Sequence, residues 1–177
     1  MNDRTQEFTD RRFYELSFAQ QRIWLLGRME ASDSFVYNIP LALTLSGPLD
    51  VEALERSIGE VLRRQEVLRA TFHVNPASGT PVQVIHPWTP FHLERHDLTY
   101  ELKNESETER HDRIRQIVRQ HNQTPLDLET GPAFQAVLLV LSPKSHVLAI
   151  VLHHIVCDGW SAGLLVKELS AFYEAYK

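Results

Sequence analysis

Two stretches in the C-terminal third, residues 134–141 and 147–154, are almost continuously apolar, the pattern of strands covered on both faces. Ser142-Pro143-Lys144-Ser145 between them has the composition of a hairpin turn, so they are expected to be the central strands. Upstream, residues 37–46 alternate at Leu41, Leu43 and Leu45 and stop at Gly47-Pro48, which predicts another strand. Behind Asp50, a good N-cap type, Val51, Leu54, Ile58, Val61 and Leu62 recur at three- and four-residue spacing, which puts one apolar stripe on a helix ending near Gln65. Ser17 and Gln20 have capping-box spacing and open a helix expected to end near Met29, with Phe18, Trp24, Leu25 and Met29 as its apolar surface. Residues 67–74 and 81–86 read as strands around Asn75-Pro76-Ala77-Ser78-Gly79, with 91–97 as the third strand of a small meander. Ser106 and Glu109 form a second capping pair, ahead of a charged helix whose apolar contacts are Ile114, Ile117 and Val118. After Asp158-Gly159 a last helix carries Leu165, Leu169, Phe172 and Tyr176 on one face and reaches Lys177 without a Gly or Pro to end it, as if cut within the helix. Residues 1–15 have mixed charge and no period and are expected to be a surface leader; residues 16–177 then form one unit. The fold class is α/β (α+β), a mixed β-sheet flanked by helices, without internal repeat.

A length of 177 residues suits one domain, and 43% apolar with 23% charged residues is an ordinary globular balance. With 18 Lys and Arg against 23 Asp and Glu, the net charge of −5 has the wrong sign for a phosphate-binding surface, so nucleic acid is not an expected partner. No apolar run approaches the ~18 residues that cross a bilayer, and the N-terminus is polar, so a soluble, cytoplasmic protein without membrane contact is expected. The single cysteine, Cys157, excludes an internal disulfide and a cysteine-rich zinc site.

One segment departs from these local rules. In His153-His154-Ile155-Val156-Cys157-Asp158-Gly159-Trp160-Ser161, two histidines and an aspartate sit where a buried strand runs out into a turn. Strand side chains alternate, so the histidines point to opposite faces, and one works while the other supports it. An imidazole there can take a proton from a nucleophile, and a helix opening at Asp158-Gly159 offers backbone N–H groups to an oxyanion, which together suggest acyl transfer. On the residues alone the plainer reading also stands, with both histidines satisfied in the core and Asp158-Gly159 only a turn. A zinc site lacks a second ligand pair, and nothing but a helix N-terminus would activate Cys157 as a nucleophile.

His-His-x-x-x-Asp-Gly followed by Trp-Ser resembles the core motif of condensation domains of nonribosomal peptide synthetases. Ser17-Phe18-Ala19-Gln20-Gln21-Arg22 with Trp24 is similar to the family's first motif, and residues 64–72 to its second. Pro125-Leu126-Asp127-Leu128 with Gly131-Pro132 is similar to the turn before the central hairpin. Gln65 departs from the family's usual His, Cys157 from a frequent Ser and Gln135 from a common Arg.

The resemblance implies the N-terminal subdomain of a V-shaped fold similar to chloramphenicol acetyltransferase, with the C-terminal subdomain absent and the 177-residue fragment inactive by itself. It implies amide bond formation between donor and acceptor thioesters, in the form that joins two L-configured units, within antibiotic or siderophore biosynthesis. The substrates would ride on the 4'-phosphopantetheine of donor and acceptor peptidyl carrier proteins, with no directly bound cofactor and no metal. The other partners would be the C-terminal half of the domain and a downstream adenylation domain. His154 would be the catalytic histidine and His153 its support. Asp158 would pair with an arginine, Arg69 or Arg22, and Gly159 would let the thioester approach the backbone. Two alternatives have other requirements: a freestanding coenzyme A-dependent acyltransferase needs a second half or an oligomer, and a noncatalytic recruitment platform has no need of the histidines.

Overall fold

The central hairpin organises the structure, a computed structural model that describes residues 13–29 and 34–177. Strands β6 (Phe134–Ser142) and β7 (Ser145–His153) pair antiparallel, with Phe134 opposite Leu152 and Ala136 opposite Ile150. β2 (Asn38–Ser46) lies along the other edge of β7, with Asn38 opposite His153. β5 (Glu94–Asp97) runs parallel to β6, giving the order β2-β7-β6-β5. Residues 91–97 are therefore not the third strand of a meander. Leu93 and Leu98, on either side of β5, are both buried, and the Leu98 N–H continues the ladder to the Val140 carbonyl at 2.9 Å. These anchors hold β5 to the larger sheet.

The smaller sheet has the order β1-β4-β3, with β1 (Phe13–Glu15), β3 (Ala70–Val74) and β4 (Pro81–Ile85). The last three residues of the expected leader thus form a strand, fastened by Leu16, which is buried beside Ala70 and Phe72. The rest of the leader lies outside the described residues. A 3-10 turn at Glu66–Arg69 replaces the start of the strand expected from residue 67.

Helices α2 (Val51–Arg64) and α4 (Gly159–Tyr176) cover one face of the larger sheet, and α3 (Glu107–Asn122) covers the other. The alternation of β7 serves both: Leu148, Ile150 and Leu152 pack with Leu54, Ile58, Val61, Leu165 and Leu169, while Val147 and Ala149 pack with Ile114, Ile117 and Val118. Each fully buried leucine or isoleucine contributes about 1.5–3 kcal/mol. α3 opens on a reciprocal capping box between Ser106 and Glu109, and α2 on Asp50, whose carboxylate accepts the Ala53 N–H at 2.9 Å.

α1 (Phe18–Met29) starts at the expected pair, with the Ser17 N–H donating to Gln20 Oε1 at 3.0 Å. Its apolar side chains do not form a core face. Phe18, Leu25 and Met29 are exposed, and only Ile23 and Trp24 pack against the Leu16, Phe72 and Ile155 cluster.

Candidate functional site

β7 ends on His153, in phase with Val147 and Ala149 and therefore on the α3 side of the sheet. Its side chain is buried, and its Nδ1 accepts the Ile155 N–H at 3.1 Å. That bond requires a bare Nδ1, so the neutral ring carries its proton on Nε2. Burial, and then the neighbouring His154, push its pKa down to about 4. The ring lies 6.0 Å from that of Tyr37 and borders a groove of about 520 Å³ that Trp24, Arg28, Asp127 and Glu129 also line.

His154 is the first residue past the strand, and its side chain is exposed. Its N–H donates to the Tyr37 carbonyl at 2.8 Å, which ties the turn to the residue before β2. The amide of Gln20 reaches the Ile155 carbonyl at 3.3 Å and ties the same turn to α1. The capping box occupies only the Oε1 of Gln20. Its remaining Nε2 donor was the signal that this side chain had a second partner to find.

Cys157 is buried, and both desolvation and the Asp158 carboxylate raise its thiol pKa, the opposite of what an attacking thiolate needs. Asp158 is exposed and caps α4, its Oδ1 accepting the Ser161 N–H at 2.8 Å and the Ser161 hydroxyl at 2.7 Å. These bonds, the backbone one first, hold its carboxyl below the ordinary aspartate range.

Neither expected arginine reaches Asp158. Arg69 donates Nε to the Leu62 carbonyl at 2.9 Å and Nη1 to the His86 carbonyl, and lies 3.7 Å from Glu66, so it closes the end of α2. Arg22 is exposed on α1 and has no ion pair with Asp158. A carboxylate already satisfied at an exposed helix N-terminus needs no guanidinium. Gly159 follows as the first residue of α4, and a Cβ there would meet nothing within 4 Å, so the backbone is open to approach.

The structure thus brings His153, His154, Asp158 and Gly159 into one turn, with Gln20 against it, and leaves Arg69 and Arg22 outside. Exposed Phe18 and Trp160 open α1 and α4, the two helices joined to this turn, an exposure the sequence pattern did not indicate. Among the described residues, no group of three His, Cys, Asp or Glu side chains is placed to hold a metal ion, and no helix is long and apolar enough to cross a membrane.

A mixed sheet whose central hairpin ends in a turn with one buried and one exposed histidine, followed by an aspartate-capped helix, defines the structural class. The chain belongs to the condensation domain family, whose model matches residues 10–177. It is 45% identical over 160 residues to a linear gramicidin synthase of Brevibacillus parabrevis, covering 90% of this chain and 2% of that protein. It is 43% identical over 161 residues to chondramide synthase cmdD of Chondromyces crocatus, covering 91% of this chain and 4% of that protein. Its fold matches the starter condensation domain of rhizomide synthetase RzmA with a TM-score of 0.79 and 26% identity, over 93% of this chain and 38% of that one. The first condensation domain of the calcium-dependent antibiotic synthetase, solved with a substrate analogue, matches with the same score, identity and coverage. The chain therefore spans a few per cent of the synthetases and about two fifths of the solved domains.

Proposed function

We propose that residues 13–177, including the β1 strand at the end of the expected leader, form the N-terminal subdomain of a nonribosomal peptide synthetase condensation domain and bring His154 to amide bond formation. The observation that carries this reading is an exposed His154 and the open backbone of Gly159 on one turn, which hydrogen bonds with Tyr37 and Gln20 tie to the residue before β2 and to α1. In the reaction, the α-amine of an acceptor aminoacyl thioester attacks the donor thioester carbonyl. A C–N bond forms, the C–S bond breaks, and the amine proton passes to the departing sulfur. His154 takes or positions that proton. Because an α-amino group titrates near ~8, a neutral fraction already exists at cellular pH and no strong base is required. His153, buried and neutral, holds the turn through Ile155. Asp158 sets the start of α4, and Gly159 gives the pantetheine arm room.

The substrates arrive on the 4'-phosphopantetheine of donor and acceptor carrier proteins. The C-terminal subdomain closes the other wall, an adenylation domain follows, and the assembly works in the cytoplasm, where a lone buried thiol stays reduced. The test supplies loaded donor and acceptor carriers to the intact domain and detects dipeptidyl thioester by mass spectrometry. His154→Ala is expected to lower the rate by about 100-fold or more, with carrier loading unchanged. Product formation at the wild-type rate would remove His154 from the mechanism.

A further inference from the structure

Behind the turn that carries His154, the end of α2 is fastened to α4 by a polar clasp among apolar neighbours. The carboxylate of Glu168, 15% exposed, accepts the Gln65 Nε2–H at 2.9 Å, and Arg64 Nε lies 3.5 Å from its other oxygen. Gln65 is itself fixed, since it closes α2 with its N–H on the Val61 carbonyl at 2.8 Å. About two helical turns before Glu168 on α4 lies Ser161, which Asp158 holds through two bonds.

Between the clasp and that cap is a cavity of about 120 Å³, lined by Gln65, Val156, Cys157, Ser161, Leu165 and Glu168. On this side the turn is held by apolar contact, Cys157 and Val156 packing with the cluster that includes Leu165. The Leu54, Ile58 and Val61 side chains meet Leu165 and Leu169 across the helix pair, and apolar contact is non-directional. A hydrogen bond to a carboxylate is directional and stronger than a neutral pair. Two other directional ties join these helices, the Asp50 N–H to the Tyr173 hydroxyl at 3.1 Å and Arg56 over the Tyr176 ring at 4.0 Å, both toward the far end of α4, so the clasp is the one nearest the turn.

We propose that Glu168 is a positioning residue: with Gln65 and Arg64 it sets the axial position of α4 and, through the Asp158 cap, the place of His154. The kinetic part of this inference rests on the amide-forming role proposed above.

The test uses the intact condensation domain and three variants. Gln65→Glu sets carboxylate against carboxylate. The double variant Gln65→Glu/Glu168→Gln exchanges donor and acceptor and restores the bond. Ile117→Ala, under α3 on the far face of the sheet, is a control for general loss of stability. Two readouts are taken well below the melting temperature. One is kcat against KM for the acceptor carrier; the other is the alkylation rate of Cys157 by iodoacetamide, followed by peptide mapping.

A displacement on the ångström scale at a reacting group is expensive, so Gln65→Glu is expected to lower kcat about tenfold with KM within about twofold. Cys157, which lines the cavity between clasp and turn, is expected to alkylate about tenfold faster as the turn loosens. The double variant returns both readouts to within about twofold of wild type, and Ile117→Ala changes neither. A Gln65→Glu variant that alters only the melting temperature, a double variant that fails to rescue, or an Ile117→Ala variant that reproduces both changes overturns the inference. If the wild-type domain forms no product, the amide-forming reading falls, and Cys157 protection alone decides whether the clasp positions the turn.

Discussion

Acidification from about pH 7 to pH 5 is expected to remove about 2 kcal/mol of stability through His153. Its pKa is about 4 in the folded chain, against the ordinary 6.5. Between those values the unfolded chain binds a proton that the folded chain does not, so stability is fully present above 6.5 and is lost as the pH falls towards 4. The slope reaches about 1.4 kcal/mol per pH unit, and the full window amounts to about 3 kcal/mol. Protonation would have to place a charge in a buried ring whose Nδ1 is already committed to the Ile155 N–H. Arg28, Asp127 and Glu129 border the same groove, and desolvation remains the largest influence on the imidazole. His121, also lowered by burial, adds loss of the same sign, so the measurement must be a difference. His153→Asn keeps an acceptor for Ile155 and removes the titration. Urea unfolding of both chains, followed by tryptophan fluorescence at about pH 7, 6 and 5, should show wild type losing about 2 kcal/mol more than the variant. Parallel pH profiles, or a His153 resonance titrating above about pH 6, would refute the reasoning.

Gly131→Ala should lower stability by about 1–3 kcal/mol, because Gly131 has φ 62° and an added Cβ would lie 2.9 Å from Thr71 Cγ2, on a buried side chain with little room to retreat. An unchanged urea midpoint would contradict this. Asp158→Ala should lower the melting temperature while Asp158→Asn stays near wild type, since Asn can still accept the Ser161 N–H. An Ala variant that melts like wild type yet forms no product would make the carboxylate a participant in the chemistry.

The parts of this fold that were legible in sequence are those where one face of one element decides the outcome. Continuous apolar sequence announced β6 and β7, three- and four-residue spacing announced α2, and the capping pairs at Ser17 and Ser106 with the single cap residue Asp50 placed three helix starts, because each signal is complete within a few neighbouring residues. The divergence of His153 and His154 followed from the same local rule. β5 did not follow, since Glu94–Asp97 is exposed throughout and its sheet is chosen by the flanking Leu93 and Leu98. β1 has only three residues, too few to show a period.

The Asp158 arginine partner failed for a more instructive reason. The arginine partner was implied by the family resemblance and not by the residues themselves, and in this structure β7 ends at His153 and the turn carries Asp158 out to water. Once exposed, the carboxylate is satisfied by a residue three positions away, and Asp-x-x-Ser was already present in the sequence as a cap. Gln65 and Glu168 lie at the other extreme. Their bond depends on how the end of α2 lies against the middle of α4, and neither residue's neighbours encode that. The histidines of the turn are therefore readable from their own strand, whereas the restraint assigned to α4 depends on contacts between helices remote in sequence. Substitution of Gln65 should accordingly disturb this site more than its distance from His154 in the sequence suggests.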